Sequence, residues 1–412
     1  MPKMKLSDIG FLSRGKSKHR PRNDQILYGG KYPFIQTSDI KKANHILYTY
    51  EQTYNEIGLK QSKLWGKNTI CITIAANIAD SAILGFEACF PDSIIGLEVN
   101  DKIANYHYIE YLLQYYKIIL QNQSNGTSQE NINLETFEQV YFDIPSLEQQ
   151  NAISHILYTI DKKIELNDKL NNELEKLAQT LYNYWFVQFD FPDEFGRPYK
   201  SSGGKMVYNE VLKREIPASW EVKKFNEYAT IGSGFSFCSK DYIKNGAWKI
   251  ITIKNVQDGN LNLSDVATIA DIPDSIPDFV KLEIGDVLIS LTGNVGRMCL
   301  VCSDNCLLNQ RVGKLLTDYR FLLFAYLFLS SPANRVRMEQ ISNGSSQQNL
   351  SPIQAVDFPF AVPDKKVLER FNQIIAPTYK RMMLNNIQSE YLKNIRDFLH
   401  PMLMNGQVTI NS

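Results

Sequence analysis

The chain lacks any long apolar run: nowhere in its 412 residues do roughly 18 consecutive apolar side chains occur, the minimum for a helix that crosses a bilayer. Its start, MPKMKLSDIG, lacks the apolar centre of a secretion signal, so a cytoplasmic location is expected. Cysteine is scarce, and six thiols in so long a chain make no disulfide framework. Reduced, buried thiols are the expectation. Net charge is absent too, with 44 Lys and Arg against 44 Asp and Glu. A neutral total averages over faces, however, and phosphate is bound by local patches.

Enzyme motifs are also missing. No Gly-x-x-x-x-Gly-Lys-Ser/Thr loop occurs; Gly203-Gly204-Lys205-Met206 has neither the upstream glycine nor a hydroxyl after the lysine. There is no Asn-Pro-Pro-aromatic motif of an adenine methyltransferase. The five histidines, His19, His45, His107, His155 and His400, stand in no motif that pairs them with a nucleophile. Asp193-Glu194 reads as linker surface charge. Cys299-x-x-Cys302-x-x-x-Cys306 has no fourth ligand nearby, and an odd spacing on a strand points Cys299 and Cys302 to opposite faces, so core thiols are expected and a metal is not. A non-catalytic chain is the expectation.

What is present is an ordinary globular composition, 44% hydrophobic and 21% charged, at a length that suits two or three domains. Charge is locally uneven: residues 1–42 carry ten Lys and Arg against three Asp. Arg14, Lys16, Lys18, His19, Arg20 and Arg22 fall in a stretch without helix or strand periodicity. Such a basic loop is either a solvated surface or a phosphate-binding patch.

The organisation emerges when the chain is compared with itself. Ile70-Cys71-Ile72-Thr73-Ile74-Ala75-Ala76-Asn77-Ile78 aligns with Val287-Leu288-Ile289-Ser290-Leu291-Thr292-Gly293-Asn294-Val295. The run Ser124 to Ile132 matches Ser342 to Leu350, and Phe142 to Pro145 matches Phe360 to Pro363, all 217 or 218 positions apart. One offset over such a span implies a tandem duplication. Each copy has a section of strand runs and Gly/Asn turns with an aromatic helical stretch, Tyr106 to Leu120 and Phe321 to Leu329, and then a long helix. The long helices are expected at Glu148 to Phe186 and at about Val367 to Leu403.

In the first long helix Ile153, Ile160, Leu174 and Leu181 share one heptad position, and Ile156, Leu170, Leu177 and Tyr184 are assigned to the other. Ile160, Asn167, Leu170, Leu174, Leu177 and Leu181 are therefore expected to pair with Asn385, Leu392, Ile395 and Leu399 in the second. The duplicated Asn167 and Asn385 would bring their amides together near a pseudo-twofold axis if the helices run antiparallel. Pro377 kinks the second helix or marks its start.

These residues resemble the specificity subunit of type I restriction-modification systems over nearly the whole chain. The most specific stretch is the central junction, Tyr184-Trp185-Phe186-Val187-Gln188-Phe189-Asp190, a polar linker, then Ile216-Pro217-Ala218-Ser219-Trp220-Glu221-Val222-Lys223-Lys224-Phe225. Lys5-Leu6-Ser7-Asp8-Ile9 and Ile144-Pro145-Ser146-Leu147-Glu148-Gln149-Gln150 also fit, whereas Val362 to Arg370 departs by extra residues and lacks the Glu-Gln pair. The resemblance implies an α+β fold with target-recognition domains at 1–147 and 216–364, long spacer helices at 148–190 and 365–412, and a linker at 191–215. It further implies that each domain reads one half of a gapped, asymmetric duplex DNA target. The helices would dock two methyltransferase subunits using S-adenosylmethionine, and restriction subunits using ATP and Mg. No cofactor is expected in this chain. The alternative is a coiled-coil adaptor that holds proteins and never touches DNA.

Duplication also sorts the candidate DNA contacts, because domains reading different bases share scaffold and phosphate contacts but differ at base edges. Asn125, Ser128 and Gln129, with Asn343, Ser345, Ser346 and Gln347, are shared, and serve as a phosphate grip or as a structural turn. Base-reading candidates in the first domain are Arg14, Lys16, Lys18, Arg20, Arg22, Thr37, Ser38, Lys41, Lys42 and Asn77. In the second they are Ser233, Ser236, Lys254, Asn255, Thr292, Asn294, Arg297, Gln310 and Arg311, since Arg can grip guanine and Asn or Gln adenine.

Overall fold

The computed structural model describes residues 2–75, 79–125, 139–343 and 348–410, apart from the side chains at 119 and 122–125. The chain divides into two units, Met1–Glu165 with Tyr391–Ser412, and Leu166–Glu390.

In the first unit, the apolar run Ile70–Thr73 and the strand Ser81–Leu84 are buried at every position, as continuous hydrophobic strands must be when both faces are covered. They lie in a five-stranded sheet of order Gly10–Arg14, Ile94–Val99, Ile70–Thr73, Ser81–Leu84, Ile46–Leu47. All pairs are antiparallel except the last, which is parallel. A smaller sheet orders Gln52–Tyr54, Tyr28–Phe34, Ala88–Cys89 and Leu64–Trp65 around a parallel central pair. The helix Tyr106–Asn125 buries Tyr108, Tyr111 and Leu112 in a core with Ile72, Ile95 and Leu97. Burying each such side chain contributes about 1.5–3 kcal/mol.

The second unit repeats the plan. Its sheet runs Ala229–Ser233, Val312–Thr317, Val287–Ser290, Met298–Leu300, and its smaller sheet runs Ala267–Ile269, Trp248–Ile251, Cys306–Leu308, Lys281–Leu282, again with a parallel central pair. Strand Val312–Thr317 lies 218 residues after Ile94–Val99, and Val287–Ser290 lies 217 after Ile70–Thr73. The first unit's edge strand Ile46–Leu47 has no counterpart among the described residues. Phe321, Phe324 and Tyr326 pack into a core with Trp185, Phe186 and Phe371. Cys299, Cys302 and Cys306 are buried in one core cluster. The expectation of opposite faces for Cys299 and Cys302 fails because the strand ends at Leu300 and the chain turns Cys302 back inward.

The long helices span Leu147–Tyr182 and Lys365–Met404, about 54 and 60 Å at 1.5 Å per residue. The second runs unbroken through Pro377, so it neither begins nor stops there. A proline inside a helix costs about 3 kcal/mol; burial of Phe371, Ile375, Tyr379 and Met382 on either side offsets it.

Burial revises half of the expected seam. Ile153, Leu157, Ile164, Asn167, Asn171 and Ala178 are buried, which with Ile160, Leu174 and Leu181 gives alternating steps of three and four residues. Leu170, Leu177 and Tyr184 are exposed, as is Ile395. The second heptad position is thus Leu157, Ile164, Asn171 and Ala178, one residue on from the apolar series Ile156, Leu170, Leu177 and Tyr184. On a helix that slip rotates the face by about 100°. The apolar series misleads because the seam itself accepts a polar Asn171 and a small Ala178.

In the second unit the two helices pair antiparallel: Asn167 meets Asn385 and Ser389, while Asn171, one turn later, meets Met382 and Asn386. Asn167 and Asn385 are each 2% exposed. Their amides do not bond to one another. Asn385 Nδ2 donates to Asn171 Oδ1 at 2.8 Å, and Asn167 Nδ2 faces Ser389 Oγ at 3.1 Å. Asn171 and Ser389 are themselves 218 apart, so the bonds are reciprocal. The stagger of side chains along antiparallel helices places each amide against the seam residue one turn on. In the first unit Arg396 Nη1 donates to Asp161 at 2.8 Å, and Leu403 packs with Ile153 and Leu157.

Candidate nucleic-acid interface

In the first unit, strand Gly10–Arg14 hands over to the basic loop through Gly15, where a Cβ would strike the carbonyl oxygens of Phe90 and Pro91. Gly15 N donates to Ile94 O at 2.8 Å and Lys16 N to Phe90 O at 3.1 Å. Ser62 Oγ donates to Lys16 O at 2.8 Å, and His19 N to Gln61 Oε1 at 3.0 Å. The loop backbone is therefore pinned while Lys16 and Lys18 remain exposed. Asp24 accepts from His19 at 2.9 Å, and this bond holds its carboxyl below the usual carboxylate range.

The loop forms one wall of a cavity of about 280 Å³ lined by Ser17, Arg22, Asn23, Tyr28, Phe34, Gln36, Thr37, Pro91 and Ser93. The structure thus brings Arg22 and Thr37 together, with Arg14 exposed at the end of its strand. Arg20 is different: its Nη1 donates to the carbonyls of Ser17 and His19 at 2.6 and 2.8 Å, so it braces the loop. Lys42 pairs with Glu51, which raises the lysine above its usual range. Lys41 lines a separate cavity with Asp80, Ser81 and Arg396. Ser38 is exposed on the helix Thr37–Lys42, outside the Arg22 groove.

The second unit builds the same edge. Gly234 stands where Gly15 does, its absent Cβ facing the carbonyls of Leu308 and Asn309. Gly234 N donates to Val312 O at 3.1 Å and Phe235 N to Leu308 O at 2.8 Å, matching the bonds of Gly15 and Lys16. Leu291 N donates to Arg311 O, and in the first unit Ile74 N donates to Ser93 O, both at 3.0 Å. Ser233, Ser236, Gln310 and Arg311 converge here, all exposed. Exposed Asn294 joins them: Gly293, at φ +76°, donates its N–H to Gln348 O, and Asn343 bridges to Asn349. Lys254 follows Ile253, whose side chain lies 3.7 Å from where a Gly293 Cβ would stand.

Three candidates of the second unit serve structure instead. Asn255 is 3% exposed; its Oδ1 accepts from Thr252 N and Oγ1, and its Nδ2 donates to Asn262 O. Thr292 is buried in a bridge to Asn349. Arg297 Nη1 donates to Gln257 Oε1 at 3.0 Å and its Nε lies 3.8 Å from Asp258, so the guanidinium is engaged by its own domain. Each looked like a surface polar residue because sequence does not reveal which polar groups are spent on turns. Asn77, Ser128, Gln129, Ser345, Ser346, Gln347 and the side chain of Asn125 lie outside the described residues.

Sequence reasoning passed over Asn23, Tyr28, Gln36, Asp92 and Ser93. A signal existed for two of them: Asp92 and Ser93 stand 218 positions before Gln310 and Arg311. Among the described residues, no group of three or more His, Cys, Asp or Glu is set to hold a metal ion, and no helix is long and apolar enough to cross a membrane.

The family model for the type I restriction modification DNA specificity domain matches residues 1–176 and 217–390, so the chain belongs to that family. It is a non-catalytic DNA specificity subunit. The chain is similar to the type I restriction enzyme MjaIX specificity subunit of Methanocaldococcus jannaschii, at 24% identity over 98% of this chain and 93% of that one. It is also similar to the HindI specificity subunit of Haemophilus influenzae, at 23% identity over 72% and 74%. The crystal structure of the S subunit from M. genitalium has the same fold, with a TM-score of 0.58 at 15% identity, over 100% of this chain and 96% of that one.

Proposed function

We propose that the chain reads DNA through the two equivalent sheet edges, one in each globular domain, each recognising one half of a gapped, asymmetric duplex target. The observation that carries this reading is the pairing of identical backbone scaffolds with different side chains: Gly15 and Gly234 make the same turn, but Lys16, Lys18 and Arg22 follow the first while Ser236 follows the second. Shared scaffold positions, and divergent side chains specify. Residues 1–147 and 216–364 are the recognition domains, 148–190 and 365–412 the spacer helices, and 191–215 the linker.

The helices dock the methyltransferase and restriction subunits. What supports this is an apolar stripe on the outer face of each helix, duplicated like the rest: Leu166 and Leu384 are both about half exposed, as are Leu177 and Ile395 at 59% and 48%. Exposed leucines at matching positions suit two copies of one partner. S-adenosylmethionine is held by the methyltransferase partner, ATP and Mg by the restriction partner, and the assembly works in the cytoplasm.

An adenine-methylation map of the host genome, with this gene intact and deleted, tests the reading. One asymmetric motif with two short halves and a fixed gap should lose methylation on deletion; an unchanged map in a host whose methyltransferase is active would overturn it. Leu177→Glu with Ile395→Glu should leave the isolated chain folded and abolish co-purification of the methyltransferase subunit.

A further inference from the structure

Arg22 is held differently from the other cations of the basic loop. Its Nη2 donates to both carboxylate oxygens of Asp92, at 2.7 and 2.8 Å. Asp92 belongs to the turn before strand Ile94–Val99, 70 residues further along the chain, so the pair fixes the guanidinium against the sheet edge. Tyr28 OH donates to the Arg22 carbonyl at 2.9 Å, which holds the backbone end as well. The two side chains are 49% and 40% exposed, and the Nη1 and Nε donors make no hydrogen bond with the described residues. Arg22 lines the groove beside Asn23, Gln36 and Thr37.

A cation that only grips phosphate gains nothing from this arrangement. An adjacent carboxylate cancels much of its attraction to the DNA backbone, by up to about 1 kcal/mol at 4 Å even in water. What the carboxylate does provide is orientation, because one guanidinium nitrogen held by both carboxylate oxygens restrains a side chain that otherwise loses about 2 kcal/mol of rotamer entropy on docking. The chemistry presented is a planar guanidinium with open donors and an acceptor beside it. In the major groove guanine offers two acceptors, O6 and N7, and its cytosine partner offers the N4 donor. An A·T pair does not match that pattern. The position equivalent to Asp92 in the second domain holds Gln310, an amide in place of the carboxylate, and an amide suits adenine instead.

We infer that Arg22, positioned by Asp92, reads the guanine of a G·C pair in one half of the target, and that this pair sets the difference in base preference between the two domains. The inference rests on the proposed reading of DNA by this edge. The test is the methylation map of the complete system carrying Arg22→Ala, Arg22→Lys or Asp92→Asn, beside wild type and the gene deletion. Arg22→Ala and Asp92→Asn should relax discrimination at one G·C position of one half-site, by about tenfold to a hundredfold, with the other half unchanged as the internal control of folding. Arg22→Lys keeps the charge without the planar guanidinium; it should sustain adenine methylation of the target while no longer discriminating at the same G·C position. A wild-type motif from Arg22→Lys overturns the inference, as does a change at an A·T position or a uniform fall at all sites. If deletion itself changes nothing, it is the DNA-reading function that fails.

Discussion

The two equivalent sheet edges share a backbone and differ in chemistry. In the first, Gly15 leads into a loop with exposed Lys16 and Lys18 and the buttressed Arg22; in the second, Gly234 leads into Phe235 and Ser236, with Gln310, Arg311 and Asn294 in neighbouring turns. The invariant part is the part that backbone contacts require: a glycine where the strand passes within touching distance of two carbonyls, and a main-chain bond from strand to strand at 3.0 Å. Beyond that turn the exposed side chains, Lys16 and Lys18 in one copy and Ser236 in the other, do not pack in the core and can diverge. Duplication followed by divergence at a solvated edge is thus a low-cost route from one readout to two.

The comparison breaks most sharply at the glycines. Gly15→Val should cancel discrimination in one half of the target and Gly234→Val in the other, because either Cβ meets backbone oxygens that cannot move aside; overpacking of this kind costs about 1–3 kcal/mol locally. Methylation maps of the two variants should show complementary losses, and loss of the same half in both would end the equivalence. Asn385→Ala acts on the helices, leaving Asn171 Oδ1 without its donor in a buried seam. A loss of about 1–3 kcal/mol is expected in chemical denaturation, without change in the methylated motif.

Smaller effects sharpen the contrast in charge. Lys16→Ala and Lys18→Ala should each lower the salt dependence of duplex binding by a log–log slope of about one, whereas Ser233→Ala and Ser236→Ala should leave that slope unchanged. A further contrast between the units lies in pH dependence. His107, in the first unit, is pushed down to about 4, mainly by burial, against an ordinary value of 6.5. A histidine whose folded value is depressed binds fewer protons folded than unfolded. Stability therefore falls as pH drops through the window from 6.5 to about 4. The duplicated position in the second unit is Ala325, so His107→Gln should flatten the acid limb of the unfolding curve.

Much of the architecture was legible because repetition is a sequence property. The offset of 217 to 218 located both copies, and strand runs such as Ile70–Thr73 were read from apolar continuity. The helix seam was half legible: Ile153, Ile160, Leu174 and Leu181 were placed by period, but Leu170, Leu177 and Ile395 were drawn in because they are apolar, when they face outward. Apolarity alone does not tell a residue of the seam from one on the outer face of the helix. At the candidate interface Arg22 and Gln310 were chosen by residue type and are exposed at the sheet edges, while Arg20, Asn255 and Arg297 are engaged by hydrogen bonds that residue type does not reveal.

By itself, then, the sequence determined the duplication, the two long helices and the family, because each is written in local pattern at a fixed spacing. Only the tertiary structure decided which polar side chains remain available, and which face of each helix closes on the other. A hydrogen bond such as Arg22 to Asp92, or Asn385 to Asn171, joins residues far apart in the chain, and no local pattern encodes which distant acceptor a donor will meet.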